Sequence, residues 1–272
     1  MRLPVIQGVI DRRMLVNYRV DPRVLETILP APFRPQVIHG QGLAGICLIR
    51  LCHVRPKGLP YWLGLSSENA AHRIAVEWVA GGTRRNGVYI FRRDTNSRLN
   101  ALAGGHVFPG VHQHASFACH ETRSCFDIAM RSDDRKTAIR VRADQTQTWP
   151  ADSLFATLAE ASQFFAAGSL GYSPTTAAGH FEGLELRCRT WHMEPLIVQD
   201  VRSSLFDDRE IFPHGTIQFD NALLMRGIEH EWHGRDDLCS PPQSSAEEVN
   251  SEIHSDASAG SATANSSLTA SV

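Results

Sequence analysis

Lysine is almost missing from this chain. Of its 27 basic residues only Lys57 and Lys136 are lysines, and the other 25 are arginines. Arginine does not condense with a carbonyl to a Schiff base, so imine chemistry has just two candidate residues. Long apolar runs are missing as well. No segment approaches the ~18–20 residues of a membrane-spanning helix. The N-terminal MRLPVIQGVIDRR lacks the apolar core and small-residue cleavage site of a secretory signal. The six cysteines (Cys47, Cys52, Cys119, Cys125, Cys188, Cys239) form no C-x-x-C pair and no disulfide-dense pattern. Reduced thiols in a cytoplasmic protein are the expectation. Cys119 and Cys125 are spaced to meet across a hairpin, but two half-buried free thiols are expected there. The nucleophile elbow G-x-S-x-G, the P-loop and the dinucleotide fingerprint are all absent, and nothing in the sequence calls for a cofactor.

What is present is 272 residues with 42% hydrophobic content, enough for one sizeable core. The net charge of −2 is unevenly spread. Six acidic residues and no Lys or Arg follow position 235, so the preceding part carries 27 basic against 23 acidic residues, or +4. No basic block or aromatic-interleaved arginine stripe accompanies that charge, which argues against nucleic acid and leaves small anionic molecules as partners. A membrane partner is not expected, and a homo-oligomer is compatible with the sequence.

Apolar alternation predicts strands over 9–20, 43–54, 71–80, 87–93, 111–121, 125–131, 137–143, 180–189, 195–204 and 216–231. Gly81-Gly82 and Asn86-Gly87 read as turns between strands. Asp21-Pro22 opens a short helix, 97–103 reads as another, and 151–166 as the clearest, capped by Asp152 or Ser153. After Trp232 large apolar residues almost vanish. A domain over 1–234 and a disordered acidic Ser/Ala-rich tail over 235–272 are expected.

Between Ser66 and Phe117 the strand-like alternation is broken by Glu68, His72, Arg73, Glu77, Arg92, Arg93, Asp94, Arg98, His106, His112 and His114. A lone buried charge costs several kcal/mol or shifts its pKa, so such a density suggests a polar pocket inside a β fold. Ile74, Val76 and Trp78 point one way with His72, whereas Arg73, Ala75 and Glu77 point the other. Arg92 and Arg93 are adjacent and face opposite ways, so one of them points inward, to Glu68 or to an anionic ligand. His112 and His114 on one strand share a face, which is half of a metal site needing His106, His72 or Glu68 as third ligand. Hydrogen-bonded strand histidines are the plainer reading, and no metal is expected. His230 and His233 carry the same ambiguity more weakly. Gly104-Gly105 and Pro109-Gly110 punctuate a loop around His106-Val-Phe108 rather than cradle a phosphate.

The ordered set VDPRVLETILPAPF, LAGICLIRL before HVRPKGLP, ENAAHRIAVEW, GVYIFRRDTNSRL, FPGVHQHASF, FFAAGSLGYSP and CRTWHMEPLIVQ resembles the DUF2071 (YqjF-like) family, over about residues 9–232. That family is similar to acetoacetate decarboxylase. The resemblance implies a mainly β (α+β) fold: a cone-shaped, largely antiparallel β-barrel or double sheet with a polar interior and a few peripheral helices. Acetoacetate decarboxylase carries a Pro-Lys-Lys segment whose first lysine forms the Schiff base. The matching tripeptide here is Val111-His112-Gln113, and imidazole forms no stable iminium with a ketone. Lys57 and Lys136 fall in exposed turns, so lysine-dependent decarboxylation is not expected. One active-site glutamate of the family aligns, with a one-residue gap, to Glu68; the other falls near Cys47 and is lost.

The expected function is binding of a small anionic or keto-acid-like metabolite by Asn69, His72, Arg73, Arg92, Arg93, Arg98 and His114, with Glu68 and His112 fixing polar groups. The alternatives are a lysine-independent acid/base enzyme, a lyase or hydrolase using Glu68 and His112 on a carbonyl or carboxylate substrate, and a metal-assisted enzyme using His112 and His114.

Overall fold

The structure is a computed structural model, and it describes residues 4–102 and 110–240. In chain order it comprises β1 (Ile6–Val20), α1 (Pro22–Ile28), β2 (Arg34–Pro35), β3 (Val37–Ile38), β4 (Gln41–Pro56), a 3-10 turn (Tyr61–Leu63), β5 (Leu65–Ala80) and β6 (Thr83–Thr95). There follow α2 (Arg98–Leu102), β7 (Gln113–Glu121), β8 (Cys125–Ser132), β9 (Ala138–Gln145), α3 (Leu158–Ala167), β10 (Leu170–Pro174), β11 (His180–Cys188), β12 (Glu194–Ser203) and β13 (Ile217–Cys239).

Five long strands form a wall in the order β13-β1-β4-β5-β6, antiparallel throughout. The wall closes on itself twice. By one route β6 pairs β10 in parallel at Val88 and Tyr89, β10 pairs β11, and β11 returns to β13. By the other β6 pairs β7 in parallel at Asp94 and Thr95, and β8, β9 and β12 lead back to β13. Side chains alternate across a strand, so each wall strand feeds both interiors. Met14, Ile46, Leu48, Ile74, Ile128 and Val141 belong to one core, and Leu15, Cys47, Phe155, Phe165, Leu186 and Leu223 to the other. Each fully buried Leu, Ile or Phe among these contributes about 1.5–3 kcal/mol.

The helices follow local rules. Asp21 accepts from the Arg23 amide at 2.9 Å, Pro22 occupies the first helical position, and Leu25 turns into the core. Thr157 caps α3 by accepting from the Glu160 amide at 3.1 Å, while the Glu160 carboxylate accepts from the Ala156 amide at 2.8 Å.

Several sequence expectations are corrected here. The third helix starts at Leu158 rather than 151, because Ser153 and the Leu154 amide are held at 2.8 Å by Asp220 of β13, which spends the proposed cap. Asn86-Gly87 lies inside β6, not in a turn. A Cβ at Gly87 would stand 2.3 Å from the Leu170 carbonyl oxygen, so this glycine is needed where β10 approaches. Strand β10 lies outside every segment for which alternation predicts a strand. The final strand runs to Cys239 and pairs His180–Cys188, so residues 235–239 are strand instead of tail. His106 and the loop around it, with Gly104-Gly105 and Pro109, lie outside the described residues, as does the tail from 241. All six cysteines are free, and Cys125 is exposed rather than half-buried. Among the described residues no helix is long and apolar enough to cross a membrane.

Candidate ligand cavity

Strand register decides which charged groups meet. On the face of the wall towards β10 and β11, β1, β4, β5 and β6 contribute two cross-strand rows, Arg13–Ile49–Asn69 and Leu15–Cys47–Ala71–Arg93. Arg73 stands beside the second row, opposite Gly45. All of these but Leu15, with His112, Phe165 of α3, Leu184 and Leu186 of β11, and Trp232 of β13, line a cavity of 130 Å³. That volume lies well below the ~300–1,000 Å³ of sites for drug-sized ligands, yet it is about ten times the ~10–15 Å³ one water needs.

Three guanidinium groups converge there, and among the described residues none has a carboxylate within ion-pair distance. Arg73, only 5% exposed, donates Nη2 to Asn17 Oδ1 at 2.6 Å and lies 5.1 Å over the Phe165 ring. Gly45 makes that contact possible, since a Cβ would sit 2.8 Å from the Val16 carbonyl oxygen and 3.0 Å from Asn17 Oδ1. Arg93 donates Nε to Ser173 Oγ at 2.9 Å, and Arg13 rests against Met225 Sδ at 3.7 Å and the Trp191 ring at 5.9 Å. The Nε atoms of Arg13 and Arg73 are buried and have no hydrogen-bond partner among the described residues. Burial pulls the Arg73 and Arg93 pKa values down to about 10, so both remain cations at neutral pH. Asp94 also touches the cavity, but its carboxylate is taken by Arg92 at 2.7 Å.

His112 enters the cavity from a loop, since β7 begins only at Gln113; the expectation that it shares a strand face with His114 is corrected accordingly. Its Nδ1 lies 3.2 Å from the Gly110 carbonyl oxygen. Burial, then the Arg93 charge, lowers its pKa to about 3, so the ring is neutral at physiological pH. Gly110 adopts φ +81°, and a Cβ there would meet Ser173 Cβ at 2.4 Å, so glycine is required where this loop packs on β10.

The remaining sequence candidates lie elsewhere. Glu68 points to the opposite face of the wall, in the row Arg12–Arg50–Glu68. There Arg12 Nη2 binds it at 2.6 Å, Arg50 Nε binds its other oxygen, and Glu121 of β7 pairs with both arginines. Glu68, Cys119 and Glu121 also bring three metal-capable ligand atoms together, but two guanidiniums already occupy the carboxylates. His72 is fully buried in the other core, Nε2 at 2.9 Å from Ser203 Oγ and its ring against Phe91 and Phe206. Burial, then Arg92, lowers its pKa to about 3. Arg92 forks onto Asp94 and Asp134. His114 binds Asp133 at 2.8 Å, and Arg98 is exposed on α2. Both lysines are exposed, with Lys57 paired to Glu231 at 2.6 Å.

The cavity also holds Arg13, Cys47, Phe165 and Trp232, none of them among the residues expected from the sequence to form a site. Arg12-Arg13 carries the same signal as Arg92-Arg93: adjacent arginines in a strand put one on each face.

The model of the family DUF2071, described as an uncharacterized conserved protein, matches residues 10–216. The chain belongs to this family. The DUF2071 chain is also similar in fold to solved structures of acetoacetate decarboxylase type. The acetoacetate decarboxylase of Legionella pneumophila subsp. pneumophila str. Philadelphia 1 superposes with TM-score 0.55 at 10% identity, over 86% of this chain and 87% of that one. An acetoacetate decarboxylase-like enzyme from Sphingomonas wittichii RW1 gives 0.51 at 11% identity, covering 87% and 91%. The enduracididine biosynthesis enzyme MppR, complexed with pyruvate, gives 0.50 at 14% identity, covering 86% and 90%. No curated protein matches the sequence. At these identities the likeness establishes an acetoacetate decarboxylase-like fold for the DUF2071 chain and nothing of its chemistry.

Proposed function

We propose that the cavity binds a small carboxylate-bearing metabolite of the 2-oxo acid class. The observation that carries this reading is the convergence of Arg13, Arg73 and Arg93 without a carboxylate partner among the described residues. Guanidinium groups held out of water need a counter-charge, and a ligand carboxylate supplies one in bidentate geometry. The amide nitrogen of Asn69 donates to Ile49 and Ser67, and its oxygen is a group able to accept from a hydroxyl beside that carboxylate; neutral His112 lines the same space. Phe165, Leu184 and Trp232 provide apolar walls. The pyruvate complex of MppR, a protein of similar fold, is consistent with this class of ligand.

The acid/base alternative pairing Glu68 with His112 has no geometric support, because Glu68 faces away from the cavity into the Arg12–Arg50–Glu121 cluster.

Thermal denaturation with pyruvate, longer 2-oxo acids, dicarboxylates and their methyl esters tests the proposal. A binding acid at 100-fold its Kd stabilises by about 2.7 kcal/mol. The acids are expected to raise the melting temperature, the esters to have no effect, and Arg73→Gln or Arg93→Gln to abolish the response. Equal stabilisation by acids and esters would discard the anion reading.

A further inference from the structure

Cys47 occupies the centre of the arginine triangle. It lies directly opposite Leu15 on β1 and Ala71 on β5. Arg13 is diagonal to it on β1, Arg73 is diagonal to it on β5, and Arg93 stands in its own row one strand beyond Ala71. Diagonal cross-strand neighbours lie ~7–8 Å apart, within the reach of long side chains. Only the Ala71 methyl separates Cys47 from Arg93 along the row, so both side chains open onto the same space. Cys47 is 8% exposed and is a free thiol. The cation beside it is only partly satisfied: Arg73, 5% exposed, leaves Nε without a hydrogen-bond partner among the described residues. A carboxylate neutralising Arg73 and Arg93 would lie in the space onto which Cys47 also opens.

We propose that Cys47 is the nucleophile of this cavity, and that its thiol adds reversibly to the ketone carbon of a 2-oxo acid whose carboxylate is held by Arg73 and Arg93. The inference rests on the binding reading above and deepens it. In the step, a bond forms between Sγ and the ketone carbon, and the carbonyl π bond opens. The thiol proton ends on the former carbonyl oxygen, and the product is a hemithioketal. Nothing is oxidised or reduced, nothing leaves, and no further reactant is needed. Neutral His112 lines the same cavity. The reaction gives this lysine-poor chain a covalent hold on a ketone without an imine.

The test uses the full chain and its other five cysteines as internal controls. Parallel samples are alkylated with iodoacetate or iodoacetamide, and modification is read at each cysteine by peptide mass mapping. Iodoacetate carries the carboxylate that the arginines select. Cys47 should therefore prefer it by about tenfold or more relative to the exposed Cys125 and Cys239, since a focused positive site raises anion capture by ~10–10³. Pyruvate should protect Cys47 alone, and Arg93→Gln should erase the preference. A second readout is carbon-13 NMR with pyruvate labelled at C2. A protein-bound tetrahedral carbon, distinct from the free hydrate, should be present in the native chain and missing in Cys47→Ala and Cys47→Ser. If pyruvate stabilises native protein and Cys47→Ala equally, with no iodoacetate preference and no bound tetrahedral carbon, the cysteine chemistry is overturned and the binding reading stands. If no acid stabilises the protein and Cys47 shows no preference, both are overturned.

Discussion

Adjacent residues of opposite orientation separate a ligand-facing set from a structural set. Arg12 and Arg13 differ by one position, yet Arg12 is 1% exposed in a cluster with Glu68 and Glu121, whereas Arg13 faces the cavity with no carboxylate partner among the described residues. Arg92 and Arg93 repeat the division: Arg92 is neutralised by Asp94 and Asp134, and among the described residues Arg93 has a serine hydroxyl and no carboxylate. Glu68 is therefore expected to act on stability. Glu68→Gln strips one carboxylate from buried Arg12, and breaking such a pair costs ~3–5 kcal/mol. Because Glu121 remains, the loss should fall near the lower end of that range. Urea denaturation measures it, and the response to pyruvate should persist in the folded variant. A variant of native stability that no longer responds to pyruvate would move Glu68 into the ligand site.

At the scale of elements, the contact between the loop before β7 and strand β10 sets one wall of the cavity. Ser173 of β10 accepts from Arg93 and also touches Gly110, whose carbonyl meets His112. Gly110→Ala should therefore act in two ways: the left-handed backbone alone costs a side chain ~1–2 kcal/mol, and the Cβ would displace Ser173. Gly215→Ala isolates the first effect, because Gly215 has φ +80° with open space around it. Both variants should lose stability, Gly110→Ala more, and only Gly110→Ala should weaken the response to pyruvate. Equal behaviour of the two would rule out the loop contact as a support of the cavity. Such contacts also explain what the sequence conveys and what it does not. Period-two alternation placed β1, β4, β5 and β6, and separated His72 from Arg73, because alternation is a property of a single strand. The Cys47 triangle depends on register among four strands, and the start of α3 depends on Asp220 some 60 residues further on. Neither is written in any local window. Gly87 reads as a turn because its reason for being glycine is Leu170.

Across the whole molecule, His72 in one core and His112 in the cavity are both held neutral, each with its pKa lowered to about 3 by burial and then by a neighbouring arginine. In the unfolded chain each titrates near ~6.5. Below that pH the unfolded state binds more protons, so stability is complete above pH ~6.5 and falls as the pH drops towards 3. The slope approaches ~1.4 kcal/mol per pH unit for each histidine. Urea midpoints at pH 7, 6 and 5 should fall progressively, and His72→Gln should reduce the slope by about one histidine's share. A flat profile, or identical slopes in the two proteins, would contradict the burial of neutral rings. The shared wall has a further consequence for how this fold tolerates change. β13, β1, β4, β5 and β6 each serve two interiors by odd and even positions, so a one-residue insertion or deletion shifts the reading frame of the strand. Beyond the lesion, Arg12 would take the place of Arg13, or Glu68 that of Asn69, unless a bulge absorbed the slip. Change in what the wall contributes to the cavity thus favours point substitutions at every second residue, with strand length held constant.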